Sequence, residues 1–196
     1  MIVFDSVNDP RLIELISIGK IGVIPTDTIY GLTSLASFEE GVSRLYSLKK
    51  RDKKLGTFIA ADIEQLLELG LDEQALRAVA HLWPNPVSVV VPVIREGSHL
   101  DLGKGSLAVR IPKDDALLEL LKQTGPLATS SANLFDHPPA NTIAEAQAYF
   151  GDRVDFYVDI GDLSGRPPST IARFTEGRVE VLREGAVTID ENGRIV

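Results

Sequence analysis

The 196-residue chain contains no cysteine, which excludes disulfides, thiolate nucleophiles and Cys-ligated zinc and fits a reducing compartment. Aromatic residues make up 6% of the chain and tryptophan occurs once, so platforms for stacking nucleic-acid bases are scarce. Positive charge is in deficit, with 20 Lys and Arg against 28 Asp and Glu for a formal net charge of −8. That balance opposes a protein that works mainly by coating nucleic-acid phosphates or an anionic membrane. The three histidines, His81, His99 and His137, are isolated and lack metal-ligand spacing, so they read as surface or loop residues. No run of 18 apolar residues occurs, and the N-terminal stretch has no basic region ahead of an apolar one. Neither a membrane span nor a secretory signal is therefore expected, and the expected location is the cytoplasm.

What is present is an ordinary globular composition, 44% hydrophobic and 24% charged, in a length that suits one domain over residues 1–196. A core of that size removes roughly 70% of the unfolded chain's surface from water, so burial alone can carry the fold. Asn8, Asp9 and Pro10 start a helix with an apolar stripe at Leu12, Ile13, Leu15 and Ile16 that stops near Gly19. Ile21 to Pro25 reads as a strand running into the hydroxyl-rich turn Thr26-Asp27-Thr28, and strand ends of this kind are where open α/β sheets bind ligands. Helices are expected at 38–50, 62–69, 72–82, 114–124 and 142–150. Strands are expected at 57–61, 87–94, 107–111, 126–129, 156–160, 170–174 and 179–183. Helices and strands interleaved in this way predict a mixed α/β domain with a twisted sheet, because each amphipathic helix needs a sheet face to cover. The Pro-rich stretch 136–141 and the segment Ser164-Gly165-Arg166-Pro167-Pro168 read as ordered loops between elements, where ligand contacts concentrate.

General catalytic motifs fail here. Gly103-Lys104-Gly105-Ser106 lacks both the upstream glycine and the hydroxyl directly after lysine that a P-loop requires, so it reads as a turn. No G-x-S-x-G elbow occurs, and Ser130 and Ser131 have no evident histidine partner, so these hydroxyls read as binding groups and not nucleophiles. The run Lys49-Lys50-Arg51-Asp52-Lys53-Lys54 sits after a helix. A solvated helix C-terminus favoured by the helix dipole explains it as well as an anion site does. Arg110 and Arg183 at predicted strand ends add guanidinium forks, which pair strongly with carboxylates and phosphates where water is partly excluded. An anionic ligand is the natural expectation.

The order of short motifs is more specific than any one of them. Pro25-Thr26-Asp27-Thr28-Ile29-Tyr30-Gly31, Lys49-x-Arg51-x-x-Lys54, Trp83-Pro84-x-Pro86, Val109-Arg110-x-Pro112, Ser131-Ala132-Asn133, Pro168-Ser169-Thr170-Ile171 and Leu182-Arg183-x-Gly185 together resemble the YrdC/TsaC family of threonylcarbamoyl-adenylate synthases, in its short single-domain form. The resemblance implies a largely open, mixed sheet flanked by helices. It also implies an enzyme that converts L-threonine, bicarbonate and ATP to threonylcarbamoyl-AMP and pyrophosphate, for modification of the tRNA adenosine beside the anticodon. Carried over position by position, it puts L-threonine near Thr28, Arg110, Ser131 and Ser169, and ATP near Arg51, Lys54, Ser106, Asn133, Thr142 and Arg183. Arg51, Lys54 and Arg110 are the residues expected to carry catalysis. Mg2+ is expected to arrive with ATP, held by phosphate and water with no protein cage. The expected partners are downstream proteins that transfer the threonylcarbamoyl group to tRNA, with at most a weak, transient contact with RNA.

The chain departs from the family pattern at Thr33, Asp52 and Asn85 and at Asp136-His137. None of these removes a residue assigned to a ligand, although Asp52 partly neutralises the basic run. The competing reading is a non-catalytic, YrdC-like module that binds RNA or the ribosome. The cluster at 49–54 speaks for it, and the net charge and sparse aromatics speak against it. A third reading, a carbamoyl-transfer module like the related domain of hydrogenase-maturation proteins, normally belongs to a much larger chain.

Overall fold

A computed structural model of the chain describes residues 2–49, 56–94 and 98–196. Within these residues ten strands, β1 (Ile2–Phe4), β2 (Gly22–Ile24), β3 (Gly31–Leu35), β4 (Thr57–Ile59), β5 (Val87–Pro92), β6 (Ser106–Arg110), β7 (Leu127–Ser131), β8 (Phe156–Val158), β9 (Thr170–Thr175) and β10 (Arg178–Arg183), form one sheet. Among the described residues six α-helices flank it: α1 (Pro10–Ser17), α2 (Glu39–Leu48), α3 (Ile63–Glu68), α4 (Glu73–Val79), α5 (Asp115–Thr124) and α6 (Ile143–Phe150). The strand order β1-β8-β2-β3-β7-β4-β6-β5-β9-β10 mixes parallel pairs such as β4–β6 and β5–β9 with antiparallel ones such as β3–β7 and β5–β6. It ends in two free edges, as an open sheet does. No helix among the described residues is long and apolar enough to cross a membrane.

Local chemistry sets the helix starts. Asp9 accepts from Arg11 N at 2.8 Å with Pro10 in the first turn, Asp114 accepts from Leu117 N, and Thr142 accepts from Glu145 N, so each satisfies an amide that a helix leaves unpaired. The strands expected from sequence are present. The sheet also includes β1 and β3, which are not among the strands expected from sequence. β3 reads Gly-Leu-Thr-Ser-Leu. Its glycine and hydroxyl residues carry little strand propensity, and it is a strand because β2 and β7 pair it on both sides.

Side chains alternate across each strand, and the two faces differ. One face carries Val23, Leu32, Phe58, Val109, Ala128 and Tyr157, buried under apolar residues of α2, α3, α4 and α6. The other carries Ile24, Ile59, Leu127, Phe156 and Val158, covered by Leu12 and Ile16 of α1 and Leu117, Leu120 and Leu121 of α5. Along the second face the row Leu127–Ile59 continues laterally into Arg110. Two residues away on the same strands the row becomes Thr33–Thr129–Thr57–Ala108, and beyond it lies the pair Gly31–Ser131. One sheet face thus changes from hydrocarbon to hydroxyl and guanidinium within two pleats, and a cleft opens over the polar part.

Candidate active site

The cleft encloses about 220 Å³ and is walled by Thr26, Thr28, Tyr30, Gly31, Gly56, Thr57, Arg110, Thr129, Ser130, Ser131, Pro168, Ser169, Ile171 and Arg183, among others. Because the sheet is mixed, the wall gathers the starts of β3, β4 and β9 and the ends of β6, β7 and β10. The site therefore lies on a face of the sheet, not only at strand ends as the sequence suggested. A volume of this size, below the roughly 300–1,000 Å³ of drug-sized sites, suits a small polar molecule, with anything larger extending past the rim.

Arg110 is the cation at the bottom. Its side chain is 5% exposed, and Nη1 lies 2.8 Å from Oδ1 of Asp27, itself 4% exposed. The approach misses hydrogen-bonding geometry, and among the described residues Arg110 Nε and Nη1 and Asp27 Oδ1 have no hydrogen-bond partner. The other oxygen of Asp27 accepts from Lys113 N at 3.1 Å. Burial lowers the Arg110 pKa and the Asp27 carboxylate raises it again, while a guanidinium keeps its charge in proteins. The result is a dry, half-neutralised cation whose planar fork still has donors to spare, which is the chemistry that takes a carboxylate. Asp27 lies inside the turn singled out from sequence, yet its pairing with Arg110, 83 positions away, was not foreseen.

The hydroxyls around Arg110 have their protons largely committed. Thr26 Oγ donates to Ile29 O at 2.7 Å, so Thr28 Oγ, 3.0 Å from Thr26 Oγ, is the donor between the two and faces the cleft as an acceptor. Thr129 Oγ donates to Thr57 O at 2.7 Å, and Ser131 Oγ donates to Asn133 Oδ1 at 2.6 Å. Acceptors of this kind suit an amine.

Lys49 overturns part of the reading of the basic run. It is fully buried, and its ammonium reaches inward to Ser131 O at 2.6 Å and to Asn133 O and Oδ1 at 2.7 Å each. A buried ammonium is tolerated only when so paired, and here it fixes the end of β7 on which Ser131 sits. Asn133 is equally committed: Oδ1 takes Lys49 and Ser131, and Nδ2 donates to Leu134 O and His137 O at 2.9 and 2.7 Å. Asn133 thus builds the loop, and its side chain lies outside the cleft wall. Thr142 caps α6 and Ser106 opens β6 on the face of Arg110 but two pleats away, so neither reaches the wall. Arg51 and Lys54, with Asp52, lie outside the described residues. Thr28, Arg110, Ser131, Ser169 and Arg183 do converge.

At the rim Arg183 Nη2 donates to Ser169 O at 2.7 Å. The glycine two residues later is required sterically: a Cβ on Gly185 would stand 2.3 Å from Pro168 O, and Ala186 N donates to that carbonyl at 2.8 Å. Tyr30 Oη donates to Gly161 O at 2.8 Å and accepts from Ile160 N at 3.1 Å, tying down the loop that leads into Pro168 and Ser169. The Gly-Lys-Gly-Ser stretch is a turn with its own anion. Asp101 accepts from Gly103 N at 3.1 Å and Gly105 N at 2.7 Å, so the amides a phosphate would need are occupied. Among the described residues no three of His, Asp and Glu gather where a metal could sit.

A family model named Sua5_yciO_yrdC, with the description "Telomere recombination", matches residues 14–185. The chain belongs to the Sua5/YciO/YrdC family. It is 37% identical over 169 residues to a threonylcarbamoyl-AMP synthase of Klebsiella pneumoniae, covering 82% of this chain and 87% of that protein. Its structure resembles P. abyssi Sua5 solved with L-threonine, at a TM-score of 0.83 and 26% identity, covering 96% of this chain. The chain spans 59% of the length of that Sua5. E. coli YciO shares the fold at a TM-score of 0.79 and 20% identity, with 97% of each chain covered.

Proposed function

We propose that this member of the Sua5/YciO/YrdC family is a threonylcarbamoyl-AMP synthase, joining L-threonine, bicarbonate and ATP into threonylcarbamoyl-AMP and releasing pyrophosphate. The observation that carries this reading is the buried, partly unsatisfied Arg110 at the bottom of a small hydroxyl-lined cleft. A guanidinium for the carboxylate and oxygen acceptors for the amine are what an amino acid needs.

The threonine amine takes up bicarbonate as a carbamate, with loss of water. One carbamate oxygen then bonds to the α-phosphorus of ATP as the bond from that phosphorus to the pyrophosphate oxygen breaks. The nucleophile belongs to the substrate, so the protein needs no thiol or imidazole. Its contribution is to hold the carbamate in line and to meet the charge that grows on the phosphoryl oxygens. Arg110 holds the carboxylate, Thr28 and Ser131 the amine end, and Arg183 stands at the rim where the nucleotide enters. Arg51 and Lys54 of the basic run take the triphosphate. Mg2+ arriving with ATP would be held by the nucleotide's phosphates and water, with no protein cage, and would offset charge on the phosphoryl oxygens. The net charge of −8 suits release of a small adenylate to proteins that carry it to tRNA.

Pyrophosphate release from ATP should depend on both L-threonine and bicarbonate, and mass spectrometry should find threonylcarbamoyl-AMP among the products. Release that proceeds unchanged without threonine would overturn the assignment.

A further inference from the structure

One polar residue, Ser88, breaks the apolar run of β5. Ser88 is fully buried between Val87 and Val89 and takes no part in the cleft wall. It sits one residue beyond the Val89–Val109 pair, opposite Arg110 on the neighbouring strand and therefore on the cleft face. Its Oγ lies 3.0 Å from Ser169 Oγ, and Thr57 Oγ donates to it at 3.3 Å.

A hydroxyl has one proton to give. Thr57 supplies a proton to one lone pair of Ser88, which keeps its own proton, and Ser169 is the partner in reach of that proton. Ser169 then accepts from behind and has its own proton left for the cleft. The polarity is the reverse of that at Thr28, Thr129 and Ser131, whose protons are turned away into Thr26, Thr57 O and Asn133. The cleft thus has acceptors on one side, a guanidinium at the bottom and, on the residue that leads into β9, a hydroxyl donor two strands across from Arg110 with Ser88 on the strand between them.

We infer that Ser88, through the relay Thr57–Ser88–Ser169, fixes Ser169 as a hydrogen-bond donor to the substrate side-chain oxygen and so selects an amino acid that bears a hydroxyl next to its α-carbon. Ser88 touches no substrate and is a positioning residue. The inference rests on the synthase reading, and it deepens that reading by assigning the side-chain selection to a residue behind the wall. A site built to bond a substrate hydroxyl rejects the analogue that lacks it, because the site's own polar group is then left unpaired.

The test compares kcat/KM for L-threonine and for L-2-aminobutyrate, which is threonine without the hydroxyl, by pyrophosphate release from the full chain. The ratio of the two does not depend on how much of each preparation is folded. In Ser88→Ala the value for threonine should fall about tenfold while that for 2-aminobutyrate changes less than about twofold, shrinking the preference about tenfold. The loss should appear mainly in KM. Ser88→Thr, which keeps the hydroxyl, should restore the ratio, and Ser88→Ala with Ser169→Ala together should show no less preference than Ser169→Ala alone. A preference unchanged in Ser88→Ala, or equal losses for both amino acids, would overturn the relay while leaving the synthase reading intact. No threonine-dependent release by the unaltered chain would overturn both.

Discussion

The turn at residues 101–105 and the Arg110 end of the cleft both bring N–H donors up to a carboxylate, and they differ in what is left over. In the turn, Asp101 spends one oxygen on Gly103 N and the other on Gly105 N, and the donors are matched. In the cleft, Asp27 stands 2.8 Å from Arg110 without a well-formed hydrogen bond, and two buried guanidinium nitrogens find no partner among the described residues. The Gly-Lys-Gly-Ser sequence looks the more like an anion site and is closed by its own side chain. The lone arginine on a strand looks less like one and is open. Unsatisfied polarity, not donor-rich sequence, distinguishes a binding site from a self-contained turn.

The largest expected effect tests the open member of that comparison. Removing either half of a buried ion pair strands the other in low dielectric, so Asp27→Ala and Arg110→Ala should each cost about 3–5 kcal/mol in urea unfolding. Replacing both together by Asp27→Leu and Arg110→Met removes both desolvation penalties and should recover most of that loss. The double variant should nevertheless bind no L-threonine in a calorimeter. A double variant that still bound threonine would show that the carboxylate is held elsewhere.

Most helices and strands of this fold were legible in the sequence because their apolar periodicity matches the face they bury, as at Leu12 and Ile16 of α1 and Leu117, Leu120 and Leu121 of α5. β3 was not, since Gly31, Thr33 and Ser34 give no strand pattern, and the very residues that make it a wall of the cleft hide it. Thr28, Arg110, Ser131, Ser169 and Arg183, singled out through their motifs, line one cleft. Asp27 lay within one of those motifs but its partner is distant in sequence, and Ser88 was readable only as a polar interruption of a valine-rich strand. Lys49 misled for a physical reason: a lysine at a helix end normally reaches for water, and this one reaches instead for the carbonyls that terminate β7. Sequence supplies residue types, whereas the direction of a hydroxyl proton or an ammonium depends on what packs behind it.

The closed member of the comparison should respond differently. Asp101→Ala leaves the amides of Gly103 and Gly105 without their carboxylate, and stability should fall by about 1–3 kcal/mol. Since those amides then form an empty anion seat, millimolar phosphate should raise the melting temperature of the variant more than that of the unaltered chain. Pyrophosphate release should continue, because the turn contributes nothing to the cleft wall. Equal phosphate sensitivity in the two proteins would mean the turn is held by something other than its internal anion.

The smallest effect on stability should come from Gly31→Ala, and it separates space kept for the fold from space kept for a ligand. A Cβ at Gly31 would lie 3.6 Å from Ser130 O and from Thr26 Cγ2, an ordinary contact, whereas at nearby Gly56 it would stand 2.0 Å from Thr129 O. Gly56 is therefore glycine because β7 leaves no room. Gly31 has room, and alanine loses less backbone freedom than glycine on folding, so the substitution should leave stability unchanged or raise it by up to about 1 kcal/mol. Yet Gly31 pairs with Ser131 on the cleft face, and the added methyl enters a volume of about 220 Å³. In a pocket fitted to its ligand one methyl is worth about 1–3 kcal/mol, or about 10–200-fold. Threonine affinity should fall by at least the lower of those factors while the melting temperature holds. If affinity and stability instead moved together, Gly31 would owe its identity to strand packing like Gly56, and the open space beside Arg110 would not be reserved for an amino acid.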